Sequence, residues 1–172
     1  MNSGIRGGGS KKDQSPLSHL DSRGHARMVD VSQKPSTVRE AVARASVKLQ
    51  KETLKLIRQG AMPKGDVQAV ARIAGVMAAK KTPEIIPLCH PIAITSAHLD
   101  VWIDEAEGHV GIEAVVKTSG QTGVEMEALT AAAAAALAVY DMCKAVDRGA
   151  VISEIKLMSK KGGKSGVYKR KA

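Results

Sequence analysis

The chain has no phenylalanine, one tryptophan (Trp102) and two tyrosines (Tyr140 and Tyr168), so aromatic residues make up only 2% of its 172 positions. A core without large rings has to be filled by aliphatic side chains and alanine, with backbones approaching closely. The same scarcity counts against sequence-tolerant nucleic-acid binding, which interleaves basic residues with aromatic stacking platforms. The two cysteines, Cys89 and Cys143, stand far apart and in no C-x-x-C pair. They suggest neither a disulfide framework nor a zinc site, and they fit a reducing cytoplasm. No run approaches the ~20 apolar residues of a membrane span, and the N-terminus holds no apolar stretch resembling a signal sequence. A soluble cytoplasmic protein is expected, with no membrane partner.

What is present is charge and alanine. A net charge of +9 favours anionic partners such as nucleotides, phosphorylated metabolites or nucleic acid. Part of that excess lies at the ends, in Lys11-Lys12 and between Lys160 and Lys171, where the last four residues read as a solvated tail. With 44% hydrophobic residues the chain is long enough for one well-cored domain and short for two. Residues 1–24, rich in Gly, Ser, Lys and His, read as a flexible tail or a remnant, and residues 25–172 as the single domain.

The periodicities define the elements. Small or apolar residues at Ala41, Ala43, Ala45, Val47 and Leu49 alternate with polar ones, a strand with one buried face. Gln50 to Gln59 changes to helical spacing and stops at Gly60. Asp66 can cap a second helix reaching about Lys81, ended by Thr82-Pro83. Two strands, about Ile92 to Ile103 and His109 to Thr118, join across Asp104 to Gly108 as a hairpin. Thr122 and Glu125 have capping-box spacing and open a long alanine-rich helix to about Asp147. Ala150 to Met158 alternates again. This order implies an α+β domain, helices on one face of a mainly antiparallel sheet, for which a ferredoxin-like arrangement is the natural candidate.

Three runs concentrate charge among aliphatics: Leu88-Cys89-His90-Pro91, Thr122 to Thr130, and Tyr140 to Ala145. An unpaired charge there is costly, so these groups should face one another or a ligand. Asp141 and Lys144, three apart on a helix, are neighbours suited to act as an acid/base couple. Glu125 has a structural explanation as the capping-box partner, whereas Glu127 has none. Glu127 lies fourteen residues before Asp141, about 21 Å along one straight helix. The two cannot share a small site within one subunit; an extended ligand or an antiparallel copy of that helix would bring them together, and since the alanine run allows such close pairing, an oligomer with shared sites is expected. Cys89 and His90 point to opposite sides of extended chain, which argues against a thiol mechanism. Pro87 and Pro91 frame His90 rigidly. Lys64 before Gly65, and the run Lys160 to Gly166, are glycine-flanked lysines suited to phosphate.

Together these residues resemble a known family. Lys64-Gly65-Asp66, Ala71 to Gly75, Ile86 to Pro91, Gly123 to Thr130, Tyr140 to Val146 and Gly162 to Gly166 are similar to the motifs of molybdenum cofactor biosynthesis protein C, the cyclic pyranopterin monophosphate synthases. The resemblance covers roughly Met28 to Tyr168. It implies a ferredoxin-like lyase, with no metal or organic cofactor, that converts a cyclic dihydro-GTP into cyclic pyranopterin monophosphate and pyrophosphate. It also implies a hexamer, a trimer of dimers, with active sites at subunit interfaces. By motif, Asp141, Lys144 and Lys64 would be catalytic, Lys64 and Lys160 polarising phosphates. Leu88, Cys89, His90, Glu125, Met126 and Glu127 would contact the purine-derived ring, and Asp30 and Arg39 would complete the site. Gln121 stands where the family often has lysine, and Arg27 where it often has histidine. The alternative from another class is a non-catalytic nucleotide- or RNA-binding protein that uses the basic tail.

Overall fold

Alternation in the first strand sets the architecture. In β1 (Thr37–Lys48) Ala41, Ala43, Ala45 and Val47 are buried, while Glu40, Arg44 and Lys48 face the other way. The computed structural model describes residues 31–164 and 166–171, with Arg23, His25 and Met28. The chain divides into a unit Met1–Asp30 and a unit Val31–Ala172, and the fold below is that of the second.

After β1 come α1 (Lys51–Arg58), α2 (Val67–Lys80), the short α3 (Thr82–Ile85), the hairpin β2 (Ile94–Asp104) and β3 (His109–Gly120), the long α4 (Glu125–Cys143), β4 (Val151–Lys161) and β5 (Tyr168–Lys169). The strands form one antiparallel sheet in the order β2-β3-β1-β4-β5. Helices α2 and α4 pack on one face, and the fold is the expected α+β, ferredoxin-like one. Asp66 caps α2 as anticipated, its Oδ1 accepting from the Ala69 N–H at 2.9 Å. Gly108, at φ 72°, turns the β2–β3 hairpin, and Asp104 Oδ1 accepts from Glu107 N–H at 3.0 Å.

Alanine on α4 does what the missing aromatics cannot. Ala128, Ala131, Ala132, Ala135, Ala136 and Val139 are completely buried at helical spacing against the sheet and α2. Gly75 of α2 sits so close that a Cβ there would meet Ala131 O at 2.9 Å as well as the Leu99 side chain. The helices therefore touch backbone to backbone. By length and composition alone α4 is apolar enough to cross a membrane, but half of its apolar window is buried in this core.

Three local expectations need correction. α4 starts at Glu125 with Val124 at the N-cap and no side-chain cap hydrogen bond, so Thr122 and Glu125 form no capping box. Val124 is 1% exposed, and its burial fixes the helix start where polar capping was anticipated. The same helix ends at Cys143, a turn before Asp147. Asp147, 1% exposed, instead clamps the following loop: its carboxylate accepts from the Gln50 backbone N–H at 2.8 Å, the Gln50 amide at 3.3 Å and the Gly149 N–H at 3.1 Å. Finally, the C-terminal residues are not all a solvated tail. Tyr168–Lys169 pair with Lys160 and Ser159, and Arg170 donates from its backbone N–H to Met158 O and from Nε to Leu157 O, each at 2.8 Å.

Candidate active site

One cluster forms where the end of α4 meets the loop before α2. Met62, 5% exposed, anchors that loop; Gly65, at φ 91°, turns it, donating to Met62 O at 3.0 Å. Lys64, between them, is aimed at α4. Its Nζ donates to Asp141 Oδ2 at 2.7 Å and to the Asp141 carbonyl at 2.9 Å. Lys144, one turn on, pairs with Asp141 Oδ1 at 2.7 Å. Each carboxylate oxygen of Asp141 thus has its own ammonium. The hydrogen bonds from Lys144 and then Lys64 hold the Asp141 carboxyl down at about 2, and the same bond from Asp141 raises Lys144 above its ordinary value. At neutral pH Asp141 is a carboxylate and Lys144 an ammonium.

A second cluster surrounds the start of α4. Lys160 of β4 pairs with Glu125 at 3.0 Å. Arg39 of β1 spans to the end of β3, its Nε donating to Gly120 O at 2.9 Å and its Nη2 to Gln121 O at 3.1 Å. Arg39, Lys160 and Glu125, with Gln121, Thr122 and Lys34, line a cavity of about 390 Å³. The fold thus gathers Arg39, Glu125 and Lys160, from three separate elements, just as it gathers Lys64 with Asp141 and Lys144. The two clusters stay apart within one protomer: Glu125 and Asp141 are sixteen residues apart on one helix, about 24 Å.

Glu127 lies in α4, 3% exposed, and burial pushes its carboxyl above the ordinary range, with Glu125 adding to the rise. Cys89 lies close enough for Glu127 to act on it; burial first and then that carboxylate raise its thiol, which opposes thiolate chemistry. Leu88 is 40% exposed and His90 and Met126 are half-buried. Asp30 lies outside the described residues. Among those residues no group of three or more His, Cys, Asp or Glu could hold a metal ion. Lys34 and Lys164 were not in the set expected from sequence, although the glycine-flanked run containing Lys164 pointed to an anion.

A carboxyl raised by burial favours the protonated protein. Glu127 therefore contributes stability below the ordinary carboxyl pKa of 4.5 that is lost as pH rises through its higher folded value. Glu127→Gln, uncharged at every pH, is expected to have a higher melting temperature than wild type above neutrality. That advantage should vanish near pH 4, as thermal denaturation at the two pH values will check.

The sequence profile of the MoaC family matches residues 28–163. A protein of Pelotomaculum thermopropionicum named cyclic pyranopterin monophosphate synthase is 60% identical over 157 residues, covering 91% of this chain and 92% of its own. Synthases of the same name from Thermomicrobium roseum and Heliobacterium modesticaldum are 60% and 57% identical over 90% of this chain, covering 93% and 98% of theirs. With near end-to-end likeness on this scale, and with the motif residues gathered into two charged clusters at the ends of one helix, the chain belongs to the MoaC family.

Proposed function

We propose that this protein is a cyclic pyranopterin monophosphate synthase, a lyase of molybdenum cofactor biosynthesis. It converts the cyclic dihydro-GTP intermediate into cyclic pyranopterin monophosphate and diphosphate. The observation that carries the reading is Asp141 held between the ammonium groups of Lys64 and Lys144, in a chain 60% identical over 157 residues to a synthase of that name.

The roles follow from protonation. A carboxyl held at about 2 is a weak base at neutral pH. Asp141 therefore orients the two ammonium groups, Lys144 delivers a proton or meets developing negative charge, and Lys64 polarises the transferring phosphate. Arg39 and Lys160 hold phosphate from the other cluster, and Leu88, Cys89, His90, Glu125, Met126 and Glu127 face the purine-derived ring. No step calls for a metal or organic cofactor.

Because the clusters lie at opposite ends of α4, a compact substrate reaches both only if one cluster comes from another subunit. Val70, Ile73 and Met77, exposed along one face of α2 with Leu137 of α4 also exposed, supply apolar surface for such contact. This supports a homo-oligomer; the hexamer, a trimer of dimers, and the cytoplasmic location are what the likeness to the family implies. The reading is tested by incubating purified protein with the cyclic dihydro-GTP and following pyrophosphate release and the fluorescent oxidised pterin. Stoichiometric formation of both is expected; a folded, oligomeric protein that forms neither overturns it.

A further inference from the structure

Lys144 stands just beyond the last helical residue of α4, where the regular hydrogen bonding of the helix runs out. It is the C-cap, its backbone N–H donating to Tyr140 O at 2.9 Å. The N–H groups of Val146 and Asp147 then both return to Cys143 O at 2.9 Å. Lys144 therefore lies between two buried residues, Cys143 and Asp147, while its own side chain is half exposed. An exposed ion pair adds little to stability, so its contact with Asp141 is a weak hold on the ammonium. The buried residues on either side fix the backbone that carries it.

Asp147 also ties this turn to a distant segment. A carboxylate taken out of water needs hydrogen-bond donors, and three converge on it. The Gln50 backbone N–H donates to Oδ2 at 2.8 Å, and the Gly149 backbone N–H and the Gln50 amide donate to Oδ1 at 3.1 and 3.3 Å. Gln50 is the N-cap of α1, its carbonyl accepting from Leu54 N–H at 3.1 Å. Thr53, Leu54 and Ile57 bury one side of that helix. At its far end Ala61 N–H returns to Leu56 O at 2.9 Å and Gly65 N–H to Met62 O at 3.0 Å, and this loop presents Lys64 to Asp141. One buried carboxylate thus joins the turn carrying Lys144 to the start of the helix that delivers Lys64.

We propose that Asp147 is a positioning residue for the reaction: by clamping the Gln50 and Gly149 backbone it holds Lys144 and Lys64 at a fixed spacing on either side of Asp141. It acts through those two lysines and meets no reacting atom. The effect on turnover rests on the synthase reading, whereas the clamp itself can be read without substrate.

The test uses three variants of the full chain, each assayed well below its melting temperature. Asp147→Asn keeps the shape but turns an acceptor into a donor that faces an N–H. Gln50→Pro removes the clamped N–H from the other side, at a φ of −67° that proline adopts without strain. Gln50→Ala keeps that N–H and is the control. Misplacing a reacting group by about 1 Å costs on the order of 100-fold in rate. Asp147→Asn and Gln50→Pro are each expected to lower kcat by on the order of 10- to 100-fold with KM near wild type, and Gln50→Ala to match wild type. In a Lys144→Ala background Asp147→Asn should cost far less than it does alone, because the main group it positions is gone; lesions that act independently multiply. Without substrate, hydrogen exchange followed by mass spectrometry should quicken at residues 144–149 and 61–65 in both clamp variants and stay unchanged in the β2–β3 hairpin. Wild-type kcat in both clamp variants, an undiminished loss in the Lys144→Ala background, or faster exchange throughout the chain overturns the proposal. So does failure of both variants to fold, which would make the clamp a requirement of the fold alone. If exchange quickens at those two segments only while wild type forms no pyrophosphate, the clamp stands and the synthase reading falls.

Discussion

Asp141→Asn and Lys144→Ala are each expected to lower kcat by on the order of 10³-fold or more while leaving the fold intact. Asp141 and Lys144 are both about half exposed, with side chains 54% accessible. Exposed ion pairs of this kind add little to stability, so melting temperatures should stay near wild type and lost activity cannot be ascribed to unfolding. The effect on rate is large because Asp141 is the only group among the described residues bridging Lys64 and Lys144. An amide at that position offers one acceptor oxygen for two ammonium groups and no charge. Lys144→Arg separates charge from proton delivery: guanidinium keeps the charge but does not give up a proton. An arginine variant as slow as the alanine one makes Lys144 a proton donor; substantial recovery makes it an electrostatic stabiliser. The pH profile carries the same logic. Asp141 is ionised above about 2, and Lys144 loses its proton only above its ordinary 10.5. Neither group changes charge near neutrality, so the loss of activity in these variants should not vary with pH there.

Much of this was legible in the sequence where a local pattern decided the matter. Alternation from Ala41 to Val47, the Asp66 cap and the Gly108 hairpin each depend on a few adjacent residues, and all are present. The start of α4 is not legible locally: Thr122 and Glu125 fit a local polar rule, whereas burial of Val124, a tertiary effect, fixes where the helix begins. The role of Asp147 is hidden from local pattern because it depends on Gln50, 97 residues earlier in the chain. The candidate site divides in the same way. Asp141 with Lys144 follows from helix spacing, but the approach of Lys64 across 77 residues does not. The place of Lys34 is not legible in local sequence, because it depends on the Gln121 amide holding an arm 89 residues away. Spacing shows which groups share a helix face, and only packing shows what reaches that face from elsewhere.

Mixing two inactive variants is expected to restore activity, which follows from the length of α4. Lys144→Ala damages the cluster at the end of the helix and Lys160→Ala the one beside its start, about 24 Å away. If each site combined both clusters of one protomer, every site in a mixed assembly would still carry one lesion and the mixture would stay inactive. If each site takes one cluster from each of two subunits, random reassortment leaves some sites with both lesions and some with neither. In equal mixture, on the order of a quarter of the sites should be intact and a comparable share of wild-type turnover should return. The measurement is pyrophosphate release after the two variants are co-dissociated and reassembled, with each reassembled alone as control. Simple mixing without subunit exchange should restore nothing, so recovery must track exchange in time. A reassembled mixture that stays as inactive as its parents would place both clusters' work within one subunit and remove the shared site, leaving the exposed apolar face of α2 to be covered for some other purpose.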